Sequence, residues 1–203
     1  MTQLKDINGI HVEGHIKITD PSTGEVLINQ RNAIHYENMS LALAESLANQ
    51  GQGFVYEMAF GNGGTSVDPT GIITYLTPNS TGTNASLYNQ TFKKVVDEKS
   101  VNNTDPTRNK TEIRHVSGTN YTDILVRALL DYGEPDGQDA FDTASNTDGI
   151  YVFDELGLRS FSESGEGRLI THVIFHPVQK SLNRLIQVDY TVRIQSLSGI
   201  TEG

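Results

Sequence analysis

Arg184-Leu185-Ile186-Gln187-Val188-Asp189-Tyr190-Thr191-Val192-Arg193-Ile194 is the stretch that decides the fold class. Ile186, Val188, Tyr190, Val192 and Ile194 take alternate positions, and Gln187, Asp189, Thr191 and Arg193 fill the gaps. Successive side chains leave a pleated backbone on opposite sides, so a period of two marks a strand with one buried and one wetted face. Upstream, residues 169–175 form a second apolar run. The two runs are expected to pair as a central C-terminal hairpin.

The N-terminal segment carries the same signature. Val12, Gly14, Ile16 and Ile18 alternate with Glu13, His15 and Lys17, Asp20-Pro21-Ser22-Thr23-Gly24 supplies turn chemistry, and Glu25-Val26-Leu27-Ile28-Asn29 returns. Further strands are expected at 54–60, 72–76, 91–96, 111–116, 123–130 and 150–158. One helix is expected near residues 37–50, from a stripe of Tyr36, Met39, Leu43 and Leu47 with Ala42, Ala44 and Ala48 beside it. Asn32 and Asn38 are its candidate caps and Gly51 its natural stop. The expected fold is mainly β: an antiparallel, jelly-roll-like β-sandwich of about eight to ten strands with the helix packed on it. With no internal repeat and no linker-like break, residues 1–203 read as a single β-sandwich domain. Long polar loops at 77–90, 97–110 and 133–149 are the expected interfaces.

Composition narrows the function classes. The formal charge of −10 argues against a phosphate-backbone partner and against an anionic membrane surface. The absence of cysteine excludes disulfides, thiolate catalysis and cysteine-based zinc sites. No apolar run approaches the roughly 20 residues that span a bilayer. The first residues, Met1 to Gly9, lack the basic-then-apolar plan of a signal peptide, so synthesis and use in a cytoplasm are expected.

Candidate chemical motifs fail in detail. Gly61-Asn62-Gly63-Gly64 follows a strand, as a phosphate cradle does, but Ser66 stands where a dinucleotide fingerprint needs its last glycine. A P-loop lysine is missing too, with no lysine between Lys17 and Lys93. These glycines are expected to supply positive backbone dihedrals in a tight turn. Counting from Ala144, Asn146, Asp148, Gly149 and Glu155 imitate part of a calcium loop whose first position lacks its Asp. A looser calcium site among Asp142, Asp148 and Asp154 is the other metal reading of the acidic loop 142–155, against a solvated turn entering a strand.

His11 with His15 and His172 with His176 are four apart, but in strands that spacing spans about 13 Å and cannot share one ion. They read as strand-face or interface histidines. Asp97-Glu98 and Asp154-Glu155 are adjacent carboxylates, which on a strand point to opposite sides. No Gly-x-Ser-x-Gly elbow occurs. No catalytic, cofactor-binding or metal residue is assigned, and no enzyme is expected.

Several segments together resemble a family of virion structural proteins from tailed bacteriophages. They are Gly14-His15-Ile16-Lys17-Ile18 with Asp20-Pro21 and Gly24-Glu25-Val26, and Arg31-Asn32-Ala33-Ile34-His35-Tyr36-Glu37-Asn38-Met39. Phe60-Gly61-Asn62-Gly63-Gly64, Phe153-Asp154-Glu155-Leu156-Gly157-Leu158 and the run from Leu169 to Ser181 complete the likeness with the closing strand. The resemblance implies a stiff β module with no catalytic residues to transfer, assembled in the host cytoplasm into the virion. It implies partners that are copies of itself and other virion proteins, most naturally in the tail, neck or fibre-attachment region. A capsid decoration protein is the structural alternative. A carbohydrate-binding module is the alternative of another class, and it predicts exposed aromatics in a groove with paired carboxylates, in a chain with no tryptophan.

Overall fold

Two-residue alternation becomes an antiparallel sheet. The computed structural model describes residues 4–82, 85–136 and 150–202. Within them run β1 (Leu4–Asp20), β2 (Glu25–Ile34), α1 (Tyr36–Leu47), β3 (Val55–Gly61), β4 (Thr65–Val67), β5 (Ile73–Tyr75) and β6 (Gln90–Val95). They continue as β7 (Lys110–His115), β8 (Tyr121–Leu130), β9 (Ile150–Ser160), β10 (Thr171–Ser181) and β11 (Ile186–Glu202). Nine strands share one sheet in the order β6-β3-β9-β10-β2-β1-β11-β8-β7, and β4 pairs with β5 apart from it.

The sheet curls onto itself. One buried cluster joins Met58 and Phe60 of β3, Phe153 of β9 and Phe175 of β10 to Ile16 and Ile18 of β1, Val188 and Tyr190 of β11 and Val126 of β8. Elements far apart in strand order therefore face each other as two layers. The edge strands β6 and β7 are consecutive in the chain, and residues 96–109 fill the seam between them. There Lys94 Nζ of β6 donates to the Leu129 carbonyl of β8 at 2.6 Å. Asn103 donates to the carbonyls of Asp97 and Asn109, and Asn109 Oδ1 accepts from the Leu129 amide at 2.8 Å. Both asparagines are buried by this closure, so much of the expected 97–110 interface loop is used internally. The mainly β, antiparallel, sandwich-like class expected from the sequence is the class observed.

The C-terminal hairpin is corrected. β10 pairs with β9 and, at Thr171 and His172, with β2, while β11 pairs with β1 and β8. Two strands thus separate the expected partners, and the short turn between them, closed by the Arg184 amide on Ser181 O at 3.1 Å, carries the chain from one layer to the other. The N-terminal hairpin takes the intervening places. β1 matches β11 without a slip from Leu4↔Glu202 to Thr19↔Gln187, a longer ladder than a local hairpin supplies.

On β11, Ile186, Val188, Tyr190 and Val192 are buried as the alternation requires. The outward row meets its own neighbours. Arg127 Nε donates to Asp189 at 2.7 Å, and Arg193 donates twice to Asp123, at 2.7 and 2.9 Å. Each pair lies directly opposite in register. Part-exposed cross-strand pairs are worth about 0.2–1 kcal/mol each, so their main effect is to penalise register slips.

The helix also departs from expectation. Its cap is His35, whose Nδ1 accepts from the Asn38 amide at 3.3 Å. Asn38 is instead buried inside the helix, with Nδ2 donating to Leu169 O at 2.8 Å. Of the expected stripe only Met39 is buried, beside Ala42, whereas Tyr36 and Leu47 are 72% and 86% exposed. The left-handed residue that ends the helix is Asn49 (φ 53°), ahead of Gly51.

Candidate functional site

Glu155 of β9 and His172 of β10 are both fully buried, on strands that also bury Asp154, Arg159 and Lys180 among their apolar residues. The glutamate is held by four donors. Its Oε1 accepts from the Gly63 amide at 3.1 Å and the Asn89 amide at 2.8 Å. Its Oε2 accepts from the Tyr88 amide and from His172 Nε2, both at 2.9 Å. The far ring nitrogen, His172 Nδ1, accepts from the Asn79 amide at 2.8 Å. That amide fixes the neutral tautomer with the proton on Nε2, because a second ring proton would face an N–H.

The arrangement ties β9, β10, the loop at Gly63 and the loop 79–89 into one unit. Two carboxylate oxygens offer about four lone-pair directions, and here all four are filled. Both imidazole nitrogens are used as well. Neither side chain has a free position for a metal or a substrate proton in this conformation. Tyr88 stacks obliquely on His172 at 5.8 Å, and Leu87 packs with Ala59 and Leu169 in a small second core. Much of the expected interface loop 77–90 is therefore strapped across β3, β9 and β10.

Asp154 extends the clamp along the same segment. Its Oδ1 accepts from the Gly64 amide at 2.9 Å, and its Oδ2 accepts from the Thr65 amide at 2.9 Å and from the Thr65 hydroxyl. The simple alternation expected of Asp154-Glu155 fails: Phe153 and Leu156 both lie in the core cluster, so the two-residue period slips between them, and both carboxylates accept amides of residues 63–65. β3 ends at Gly61 opposite Glu155, and β10 bulges at residues 175–177, between Ile174 and Val178. The chain from 62 to 65 crosses the opened strand there and reaches both carboxylates. Pro177, which has no amide to lose from a ladder, sits in the bulge.

This corrects the reading of the glycines. Gly61, Gly63 and Gly64 do not adopt a left-handed φ, which is found at Gly24 and Gly51 among others. Space is what demands glycine. A Cβ on Gly61 would lie 2.5 Å from both Asn89 O and Glu155 Oε1, and one on Gly63 would lie 2.7 Å from the Asn89 amide nitrogen.

The two carboxyls titrate in opposite directions. Burial pushes Glu155 up, but the bonds from His172, Asn89 and Tyr88 outweigh it and hold the group below its ordinary 4.5. Burial dominates at Asp154 and raises it above 3.8, with the Glu155 charge adding to the effect. The stability that Glu155 contributes is complete above about pH 4.5 and is lost as pH falls through the lower folded value. Asp154 acts in the opposite sense, because its folded form holds the proton more tightly, so stability falls as pH rises from 3.8 through its folded value. Glu155→Gln is accordingly expected to show a flatter acid limb than the parent chain in urea midpoints between about pH 6 and pH 3.

The remaining sequence candidates do not converge. His11 and His15 are exposed on β1, and His176 is exposed with Nδ1 3.2 Å from the Tyr75 hydroxyl. The calcium candidates Asp142, Ala144, Asn146, Asp148 and Gly149 lie outside the described residues, and Glu155 and Asp154 are occupied as above. Among the described residues no group of three or more His, Asp or Glu side chains is placed to hold a metal ion. Among the described residues no helix is long and apolar enough to cross a membrane.

Lys180, which the sequence reading passed over, is another internal tie. Its buried Nζ donates to the carbonyls of Asp131, Glu134 and Ser181 at 3.0, 2.6 and 2.9 Å. Burial lowers it to about 8. Depressions are also present among the described residues. A hollow of about 360 Å³ is lined by Tyr56, Phe161, Glu57, Glu163, Lys93 and Asn102. An apolar groove of about 750 Å³ lies between α1 and the β1/β11/β8 part of the sheet. No family model, curated protein or solved structure matches the chain.

Proposed function

We propose that the chain is a non-enzymatic structural protein of a tailed-bacteriophage virion. It assembles in the host cytoplasm through contacts with copies of itself and with other virion proteins, in the tail, neck or fibre-attachment region. The resemblance of segments along nearly the whole chain supports this reading. The observation that carries it is the Glu155–His172 pair. The most catalytic-looking residues of the chain spend every hydrogen-bonding position on backbone amides and on each other, which stiffens a scaffold. Nucleic acid and membrane are not proposed as partners, in keeping with the charge of −10.

Quantitative mass spectrometry of purified particles tests the reading. The chain is expected at a fixed copy number well below that of the major capsid protein. A copy number that tracks the major capsid protein would move it to the head surface as a decoration protein. Absence from particles would end the virion reading.

One observation favours a carbohydrate-binding module as the second reading. The 360 Å³ hollow sets Tyr56 and Phe161 beside Glu57 and Glu163, and buried Glu57 Oε1 has no hydrogen-bond partner among the described residues. Aromatic faces with carboxylate acceptors suit a sugar. Titration with host glycans that shows no binding removes it.

A further inference from the structure

We infer that the free edge of β1 is a docking edge for a second copy of this chain, pairing antiparallel about a twofold axis close to Gly9. The proposal deepens the assembly reading and rests on its self-association clause, whichever part of a particle the chain occupies.

Among the described residues the edge is free, and for a local reason. β2 follows β1 only as far as Asn32↔Gly14 and then leaves to pair Ala33 and Ile34 with His172 and Thr171 of β10. Gly14 permits the departure. Asn32 Oδ1 lies 1.7 Å from where a Cβ would sit, and Asn32 Nδ2 donates to the Tyr190 hydroxyl at 2.5 Å. On the other side β8 stops at Tyr121↔Gln195, with a last backbone bond from Ser196 N to Asn120 O. Beyond these points β1 and β11 run on as a two-stranded ribbon to Leu4↔Glu202.

Such a ribbon is marginal in water by itself, and its unpaired amides and carbonyls are a template for another strand. Protected edges carry proline, lysine or a bulge. From Ile7 to Val12 this edge has none of them, Lys5 standing near its far end, and its ladder to β11 does not slip.

Two features point to a second copy as the occupant. An antiparallel edge is its own complement: a twofold axis reverses the strand and sets donors opposite acceptors. The ribbon's inward face also stays apolar past the core. Ile10, 63% exposed, stands at the mouth of the 750 Å³ groove, whose rim exposes Ile113 and Leu47. Full overlap of residues 4–14 from two copies sets Gly9 opposite Gly9. A twofold axis normal to the sheet then keeps both Ile10 side chains on one face beside that axis, where each is covered.

The cysteine-free chain allows a direct test. A Cβ at Gly9 meets nothing within 4 Å, so Gly9→Cys fits the fold. Directly opposite residues on antiparallel strands have Cα atoms about 4.5–5.5 Å apart, within the disulfide range. In a glutathione buffer Gly9→Cys is expected to form covalent dimers at least about ten times faster than Ser164→Cys on an exposed loop, because pairing raises the local thiol concentration. Ile10→Asp in the full chain is expected to weaken association in sedimentation by at least about tenfold, with the melting temperature unchanged at concentrations where parent and variant are both dissociated. If the parent chain associates while Gly9→Cys cross-links no faster than the control and Ile10→Asp associates normally, the edge proposal is wrong and self-association stands. A parent chain that sediments as a monomer at about 100 µM, far above the Kd expected of a specific contact, overturns both.

Discussion

Replacing Glu155 by alanine is expected to destabilise the chain by about 4 kcal/mol, the range for removing one partner of a buried, hydrogen-bonded pair. The Gly63, Tyr88 and Asn89 amides and His172 Nε2–H would lose their acceptor together in a site closed to water. For a chain of 203 residues that corresponds to a fall of roughly 10 °C in Tm. Glutamine is not a conservative replacement here. Its amide nitrogen must face two donors whichever way it is turned, because each oxygen of Glu155 accepts two bonds. Glu155→Gln is therefore expected to cost at least about 2 kcal/mol. Urea unfolding of the two variants checks both figures, and a Glu155→Gln midpoint equal to the parent's would mean that the four bonds do not act together.

Gly61→Ala is expected to cost about 3 kcal/mol, near the top of the range for overpacking. Its new methyl would meet Asn89 O and Glu155 Oε1, a backbone carbonyl and a carboxylate pinned by four donors, so neither neighbour can retreat. Gly9→Ala, with nothing within 4 Å, is the control and is expected to stay within about 0.5 kcal/mol of the parent. In a Glu155→Ala background Gly61→Ala should cost less, because one of the two clashing atoms has gone. The coupling is read from a double-mutant cycle of urea midpoints.

Strand existence was legible in the sequence because it depends on local alternation. The period of two on β11 and β1 predicted their buried faces residue by residue. Strand order was not legible. The short 182–185 connection looks like a hairpin turn, and only the sixteen-residue match between β1 and β11, distant in sequence, shows that the N-terminal hairpin lies between β10 and β11.

The clamp was hidden for a similar reason. Sequence proximity pairs His172 with His176 and Asp154 with Glu155, whereas His172 and Glu155 meet diagonally across two neighbouring strands. A signal existed, since both are ionisable residues inside strongly apolar strand runs, and such residues need partners once buried. The nearby glycines read in the sequence as positive-dihedral turn residues, whereas close approach is what requires them. The helix stripe failed at its ends because Tyr36 and Leu47 lie beyond the part of the sheet that α1 covers.

The central claim, a stiff β module that builds a particle by repetition, is tested most directly by an electron-microscopy map of particles that contain the chain. The account predicts density for this curled sheet in symmetry-related copies at the tail, neck or fibre attachment, with β1 edges of neighbouring copies in contact. Density showing a solitary subunit with a ligand in the Tyr56–Phe161 hollow, or no density for the chain at all, would contradict it.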